Sequence, residues 1–221
     1  MNIFDYFFLY SKDLKKGFVL GPIEQISFDQ LHERVIKLAQ YLNKEVGENE
    51  NIILMGQNSV YFLTAYLGIM KSGNVCVPLN PLIEQENLDY IIKTTACKYF
   101  FIPQKTSEKY SFSNATLIDE TKLDSILNST THISDSVIGQ FDENRLAQIL
   151  FTSGSTGLPK GVMLSHKNLI SNTDSIVEYL KLTSNDIIEV VLPFYYCYGL
   201  SLLHTHLKVG GSVVLNNNFV F

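Results

Sequence analysis

The sequence predicts an α/β fold of mostly parallel sheets flanked by helices. Short apolar runs recur as strand candidates, most are followed by a segment with helical apolar spacing, and glycines or polar clusters punctuate the joins. Strands that alternate with helices pair in parallel, because each helix carries the chain back along the sheet before the next strand begins. At 221 residues the chain is long enough to bury a sizeable core. Its 46% apolar and 18% charged residues exclude a disordered or fibrous protein.

The first residues, MNIFDYFF, are apolar, but Asp5 interrupts them and no basic region precedes them, so they read as a packed or capping segment and not as a targeting signal. Ser27 with Gln30 three residues later forms a capping box; Leu31, Val35, Leu38, Ala39 and Leu42 then follow at helical spacing until Gly47. Residues 51–55 (NIILM) are a strand. The helix that follows, from about residue 59 to 70, is apolar nearly all round, and a helix with no polar face belongs between two other elements. Residues 75–79 (VCVPL) form a short buried strand whose ladder Pro78, lacking an N–H, is expected to end.

A helix over residues 84–93 and a strand at 98–102 (KYFFI) continue the alternation. From 103 to 143 the pattern weakens into Ser, Thr, Asn and Asp, with one strand candidate at 115–119 and, at 128–139, a surface loop with room for one short helix. This stretch is the candidate linker, and it suggests lobes 1–143 and 144–221. The rhythm returns with a strand at 146–151, and then a helix from Ser165 with apolar positions Leu169, Thr173, Ile176, Val177 and Leu180. A strand at 186–192, a short helix at 200–207 and a strand at 210–215 complete the pattern.

Several function classes are excluded on composition. The formal net charge is -5 with no basic stripe, which argues against nucleic acid as a partner. No apolar run approaches the length of a transmembrane segment. Cys76, Cys97 and Cys197 are widely spaced and fit neither a disulfide framework nor a zinc site; they are expected to be reduced, buried thiols in a cytoplasmic protein. His204 and His206, two positions apart on a helix, face different directions and have no third ligand for a metal.

Chemistry concentrates in residues 149–169, ILFTSGSTGLPKGVMLSHKNL. A strand leads into a loop over 152–161 at its carboxyl end, the place where parallel sheets put ligand loops. Gly154 and Gly157 let the backbone turn tightly and present amide N–H groups; Thr152, Ser153, Ser155 and Thr156 add hydroxyls, and Lys160 adds a mobile positive charge. A polyphosphate matches this set. A surface turn rich in small residues is the alternative on composition alone. A Walker loop fits less well, because two residues and not four separate these glycines and Lys160 follows a proline. Ser165 and His166 are adjacent in sequence, which is not a nucleophile–base geometry; His166 belongs in the first turn of a helix capped by Ser165.

The string FTSGSTGLPKGV at 151–162, followed by SHKNL at 165–169, closely resembles the phosphate-loop signature of the adenylate-forming enzymes: acyl-CoA synthetases, aryl-CoA ligases, luciferases and the adenylation domains of peptide synthetases. YLGIMKSGNVCVPLNP at 66–81 and LPFYYCYGL at 192–200 resemble further motifs of that superfamily, so the likeness spans nearly the whole chain. The resemblance implies a two-step reaction in which a small-molecule carboxylic acid attacks ATP to give acyl-adenylate and pyrophosphate, after which a thiol, often that of coenzyme A, takes the acyl group. It implies that residues 152–157 wrap the β- and γ-phosphates, that Lys160 holds the departing pyrophosphate, and that Thr156 lies near Mg2+.

The chain departs from the superfamily pattern at Tyr196, where many relatives carry a histidine bordering the acyl pocket. A phenol can donate one hydrogen bond but gains no positive charge near neutral pH. Tyr196 is therefore the candidate pocket residue, with Phe194 and Tyr198 expected in the core. The absence of an acidic residue in 192–200, where amino-acid adenylation domains place an aspartate for the substrate ammonium, favours a fatty or other simple carboxylic acid. The resemblance further implies that residues 1–221 are a truncated N-terminal domain without the C-terminal domain. The expectations that follow are an isolated fragment inactive in catalysis and self-association through a sheet edge left open after Val214.

Overall fold

The computed structural model describes residues 1–130, 141–152 and 157–218. In chain order its elements are α1 (Ile3–Phe7), β1 (Gly17–Val19), β2 (Ile26–Ser27), α2 (Phe28–Glu45), β3 (Asn51–Met55), α3 (Val60–Lys71), β4 (Val75–Leu79), α4 (Gln85–Thr95), β5 (Tyr99–Phe101), α5 (Gln104–Ser107) and β6 (Thr116–Ile118). There follow α6 (Glu120–Ser129), β7 (Leu146–Thr152), β8 (Lys160–Ser165), α7 (His166–Leu180), β9 (Ile187–Val190), α8 (Cys197–Val209) and β10 (Ser212–Leu215).

These strands form a six-stranded sheet in the order β6-β5-β3-β4-β7-β8 and a four-stranded sheet in the order β2-β1-β10-β9. Among the described residues, only β8 in the larger sheet and only β2 in the smaller run antiparallel to their neighbours. The period-two alternation of β3 explains how the layers are held. Ile52 and Leu54 join a core shared with α1, α2, α3 and α8 and with Phe18, Val190 and Val213 of the smaller sheet, whereas Ile53 and Met55 join a separate cluster with Leu88 and Ile91 of α4. Helix α3 is buried on nearly every side, as its unbroken apolarity predicts. Both expected serine caps are present: Ser27 and Gln30 close a capping box at α2, and Ser165 accepts the Asn168 N–H at α7.

The N-terminal segment does pack. Ile3, Phe4 and Phe7 of α1 are buried, and Asn2 Nδ2 donates to the Met70 carbonyl at 2.8 Å.

Several expectations are corrected. Pro78 does not end its ladder, because β4 stays in register with β3 through Leu54–Pro78 and Met55–Leu79; proline lacks a donor on one side only and still offers its carbonyl. The weak stretch after residue 103 is not a plain linker: it carries α5, α6 and, where a strand is expected at 115–119, β6 as an edge strand of the larger sheet, while residues 131–139 of the expected loop lie outside the described residues. Both sheets draw strands from either side of residue 143. The helix expected at 200–207 begins earlier, at Cys197. β10 is an interior strand between β1 and β9, so no sheet edge opens at Val214. Of the apolar positions expected on α7, only Leu169 and Thr173 are buried, while Leu180 is exposed.

Candidate functional site

The stretch read as strand, loop and helix contains an additional strand. Residues 160–165 form β8, which folds back antiparallel on β7 with Thr152 opposite Lys160 and Leu146 opposite Ser165. Helix α7 consequently starts at the foot of this hairpin, at the opposite end from the loop. In a Walker arrangement a helix N-terminus points at the phosphates; here the dipole of α7 does not, and the charge available to an anion at the loop comes from Lys160.

Thr152 and Lys160 are both exposed at the hairpin's open end, joined by a long contact from Thr152 Oγ1 to the Lys160 carbonyl at 3.4 Å. Lys160 forms no ion pair with a described residue, which leaves its ammonium available for a ligand. Gly157 adopts φ +86°, and a side chain there would meet nothing within 4 Å. Its need for glycine is therefore conformational and not steric. Ser153, Gly154, Ser155 and Thr156 lie outside the described residues.

The aromatic segment at 192–200 is pinned in place by Asn58, a residue the sequence pattern did not single out. Asn58 Nδ2 donates to the Leu192 carbonyl at 3.0 Å, and its Oδ1 accepts the Phe194 N–H at 2.8 Å. Pro193 O accepts the Tyr196 N–H at 3.1 Å and closes the turn into α8. Gly199 lies against that turn; a Cβ there would collide with the Pro193 carbonyl. Phe194 is fully buried, as expected, and its ring packs beside Phe62.

Tyr198 contradicts its expected core role: it is 61% exposed and lines a cavity. Helix geometry explains this, because Phe194 precedes the helix and packs inward, while Tyr198 falls on the first turn of α8, on a solvent-facing side. Tyr196 caps α8, is 53% exposed, and is not among the residues lining that cavity. Cys197 is likewise exposed and lines the cavity, against the expectation that all three thiols are buried; Cys76 and Cys97 are buried.

The cavity encloses about 360 Å³ between β7, β8, α7 and α8, with Gln148, Leu150, Asn168, Cys197, Tyr198 and His204 in its wall. Behind it runs a buried polar chain. Tyr66 Oη donates to Gln148 Oε1 at 2.7 Å and lies 2.8 Å from His204 Nε2. The phenol has one proton and gives it to Gln148, so His204 donates from Nε2 and leaves Nδ1 as an acceptor. Burial pushes the His204 pKa down to about 3, and the ring is neutral at physiological pH. His206 faces elsewhere, with Nδ1 2.9 Å from the Leu202 carbonyl. His166 is structural: it opens α7 and its Nδ1 accepts the Ile3 N–H at 3.2 Å. Among the described residues no cluster of His, Cys, Asp and Glu suited to a metal ion is present, and no helix is long and apolar enough to cross a membrane.

A family model described as AMP-binding enzyme matches residues 12–221 of this chain. The chain belongs to the AMP-binding enzyme family. Within this family it is 32% identical over 189 residues to 4-coumarate–CoA ligase 3 of Arabidopsis thaliana, a match covering 79% of this chain and 34% of that protein. It is also 32% identical over 150 residues to gramicidin S synthase 2 of Brevibacillus brevis, covering 67% of this chain and 3% of the synthase. Among solved structures, ATP-bound MatB from Rhodopseudomonas palustris superposes with a TM-score of 0.84 at 26% identity, covering 99% of this chain and 46% of MatB. This AMP-binding chain thus spans less than half the length of each of these relatives.

Proposed function

We propose that this chain supplies the phosphate-binding loop and one wall of the acid site of an enzyme that activates a carboxylic acid with ATP. The carboxylate oxygen attacks the α-phosphorus, the bond to the β-phosphate oxygen breaks, and pyrophosphate leaves with the bonding pair. A thiol, in this reading that of coenzyme A, then attacks the acyl carbonyl and displaces AMP. The observation that carries the proposal is the β7–β8 hairpin, which ends in Thr152, Gly157 and an ammonium with no described counter-ion, Lys160.

Two anions must approach one another in the first step. A fixed positive charge at the phosphates lowers that barrier most where negative charge accumulates on the departing pyrophosphate. Lys160 is the residue assigned that role. Thr152, Ser153, Gly154, Ser155, Thr156 and Gly157 are assigned to the β- and γ-phosphates through amide N–H groups and hydroxyls. Magnesium bound to the nucleotide would neutralise part of the same charge, with Thr156 as its proposed neighbour. That MatB, which shares this fold, is described as ATP-bound supports the nucleotide assignment.

The relatives include a 4-coumarate–CoA ligase and a gramicidin S synthase. An amino acid is disfavoured because neither the segment 192–200 nor the cavity wall beside it contains an acidic side chain to hold an ammonium. Tyr196, within that segment at the N-cap of α8, is assigned to orient the carboxylate by donating a hydrogen bond from its phenol. Acid-dependent ATP–pyrophosphate exchange, measured on a protein that contains this chain with panels of fatty, aryl and amino acids, tests the reading. Exchange with amino acids alone would reverse the substrate assignment, and no exchange with any acid would leave a binding module without catalysis.

A further inference from the structure

The cavity beside the hairpin has a wall whose polar atoms are incompletely used. Gln148 and His204 are only 1% and 2% exposed, yet both line it. Gln148 Oε1 is occupied by Tyr66 and His204 Nε2 donates to the same phenol, which leaves Gln148 Nε2 and His204 Nδ1 without a partner among the described residues. Neither atom is sealed in the protein, since the only fully buried unpaired side-chain polar atom among the described residues is Arg34 Nε. Two nearly buried residues of the cavity wall thus keep one donor and one acceptor that have no partner among the described residues and are not fully enclosed by protein. Leaving such groups dry and unpaired costs about 1–3 kcal/mol each, so they select a ligand that satisfies both.

We propose that this cavity takes the organic part of an elongated carboxylic acid bearing a neutral hydroxyl remote from its carboxylate, the hydroxyl accepting from Gln148 Nε2 and donating to His204 Nδ1. A hydroxyl is the smallest group that is donor and acceptor at once. A second carboxylate or an ammonium would find no charge to pair with, because the cavity wall contains neither acidic nor basic side chains other than the neutral His204. Leu150, Leu164 and Leu200 supply the apolar sides for a hydrocarbon stem. The geometry sets the length. Gln148 and Thr152 lie on one strand, so the hydroxyl-binding end is on the order of 13 Å from the base of the phosphate loop at ~3.3 Å per residue. The inference rests on the activity proposed above for the choice of an acid, and on the cavity alone for the hydroxyl.

Cys197 offers a local readout, because it lines the cavity while the other two thiols are buried. The rate of Cys197 alkylation by iodoacetamide is measured on this chain with increasing 10-hydroxydecanoic or decanoic acid, in the wild type and in Gln148→Leu. The hydroxy acid is expected to protect at a concentration at least tenfold lower than decanoic acid, and Gln148→Leu to remove or invert that preference. Ser201→Leu, which fills the cavity from a half-exposed helix position, should abolish protection and keeps the test independent of how well the Gln148 variant folds. Equal protection by the two acids, or a preference that survives Gln148→Leu, overturns the proposal. Protection by the hydroxy acid without acid-dependent pyrophosphate exchange in the larger protein would support this site while removing the activity reading.

Discussion

Asn58 and Phe194 are joined by a 2.8 Å hydrogen bond from the Phe194 N–H to Asn58 Oδ1, and the same amide group donates to the carbonyl of Leu192. One nearly buried side chain between β3 and α3 thus holds both ends of the bend that aims Tyr196 and Tyr198. Replacing Asn58 with Leu should leave a backbone N–H and a C=O unpaired, at a cost of about 1–3 kcal/mol for each group that water cannot reach. Urea denaturation is expected to show the loss. Asn58→Asp, which keeps only the acceptor, should fall between the two, and equal stability of all three proteins would refute the role.

Phe194 and Tyr198 separate stability from ligand contact. Phe194→Ala removes a fully buried ring and should cost about 3–5 kcal/mol. Tyr198→Ala removes a ring that is mostly in solvent and should change stability by no more than about 0.5 kcal/mol. Its effect should instead appear as faster alkylation of Cys197, its neighbour in the cavity wall. Thermal unfolding of the pair checks the contrast.

These two aromatics also show what the sequence could convey. A run of four apolar residues such as 52–55 encodes a strand buried on both faces, and a serine followed three residues later by Gln or Asn encodes a cap; both are legible because the signal is local. Tyr198 and Cys197 were misplaced because an aromatic or a thiol is equally at home in a core or a cavity, and the choice depends on which side of α8 meets β7. Strand β8 was missed for a related reason: residues 160–165 contain two solvent-facing apolar side chains, Val162 and Met163, and pair on one side only. The loop residues were recognisable as a motif. The chain Tyr66–Gln148–His204, assembled from three distant segments, left no trace in any one of them.

Lys160 carries the third prediction. Its side chain is exposed and pairs with no described residue, so Lys160→Ala should leave unfolding within about 0.5 kcal/mol of the wild type. In a protein containing this chain, acid-dependent ATP–pyrophosphate exchange should fall at least tenfold, with Lys160→Arg retaining part of the rate because charge is kept and geometry is not. An unchanged exchange rate in Lys160→Ala would remove this residue from the phosphate site.

Acid should unfold the protein partly through His166. Burial, reinforced by Arg145 and the N-terminal ammonium, lowers its pKa from 6.5 to about 4. The unfolded chain therefore binds the proton first as pH drops, and the stabilisation present above pH 6.5 is lost through the window between these two values. The share of this one ring between pH 6.5 and 5 is about 2 kcal/mol. His166→Asn can still accept the Ile3 N–H through its amide oxygen but does not titrate. Its stability should decline less steeply over that interval, and identical pH dependence in the two proteins would assign the acid sensitivity elsewhere.

The three cysteines should divide cleanly under native alkylation. Cys76 is fully buried, and burial raises its thiol well above the ordinary range; burial likewise pushes Cys97 up to about 11, against a hydrogen bond with Thr95 that acts in the other direction. Reaction requires both access and thiolate, and neither buried residue offers them near pH 8. Cys197 is exposed at the first turn of α8. Mass spectrometry after brief iodoacetamide treatment at pH 8 should therefore find one modified site in the folded protein and three in urea. Rapid native labelling at Cys76 or Cys97 would mean that the packing over the larger sheet opens locally, since Cys76 is buried in the cluster that contains α3 and Cys97 in the one that contains α4. It would also make the parallel part of the larger sheet, and not its β7–β8 hairpin, the first part of the fold to yield.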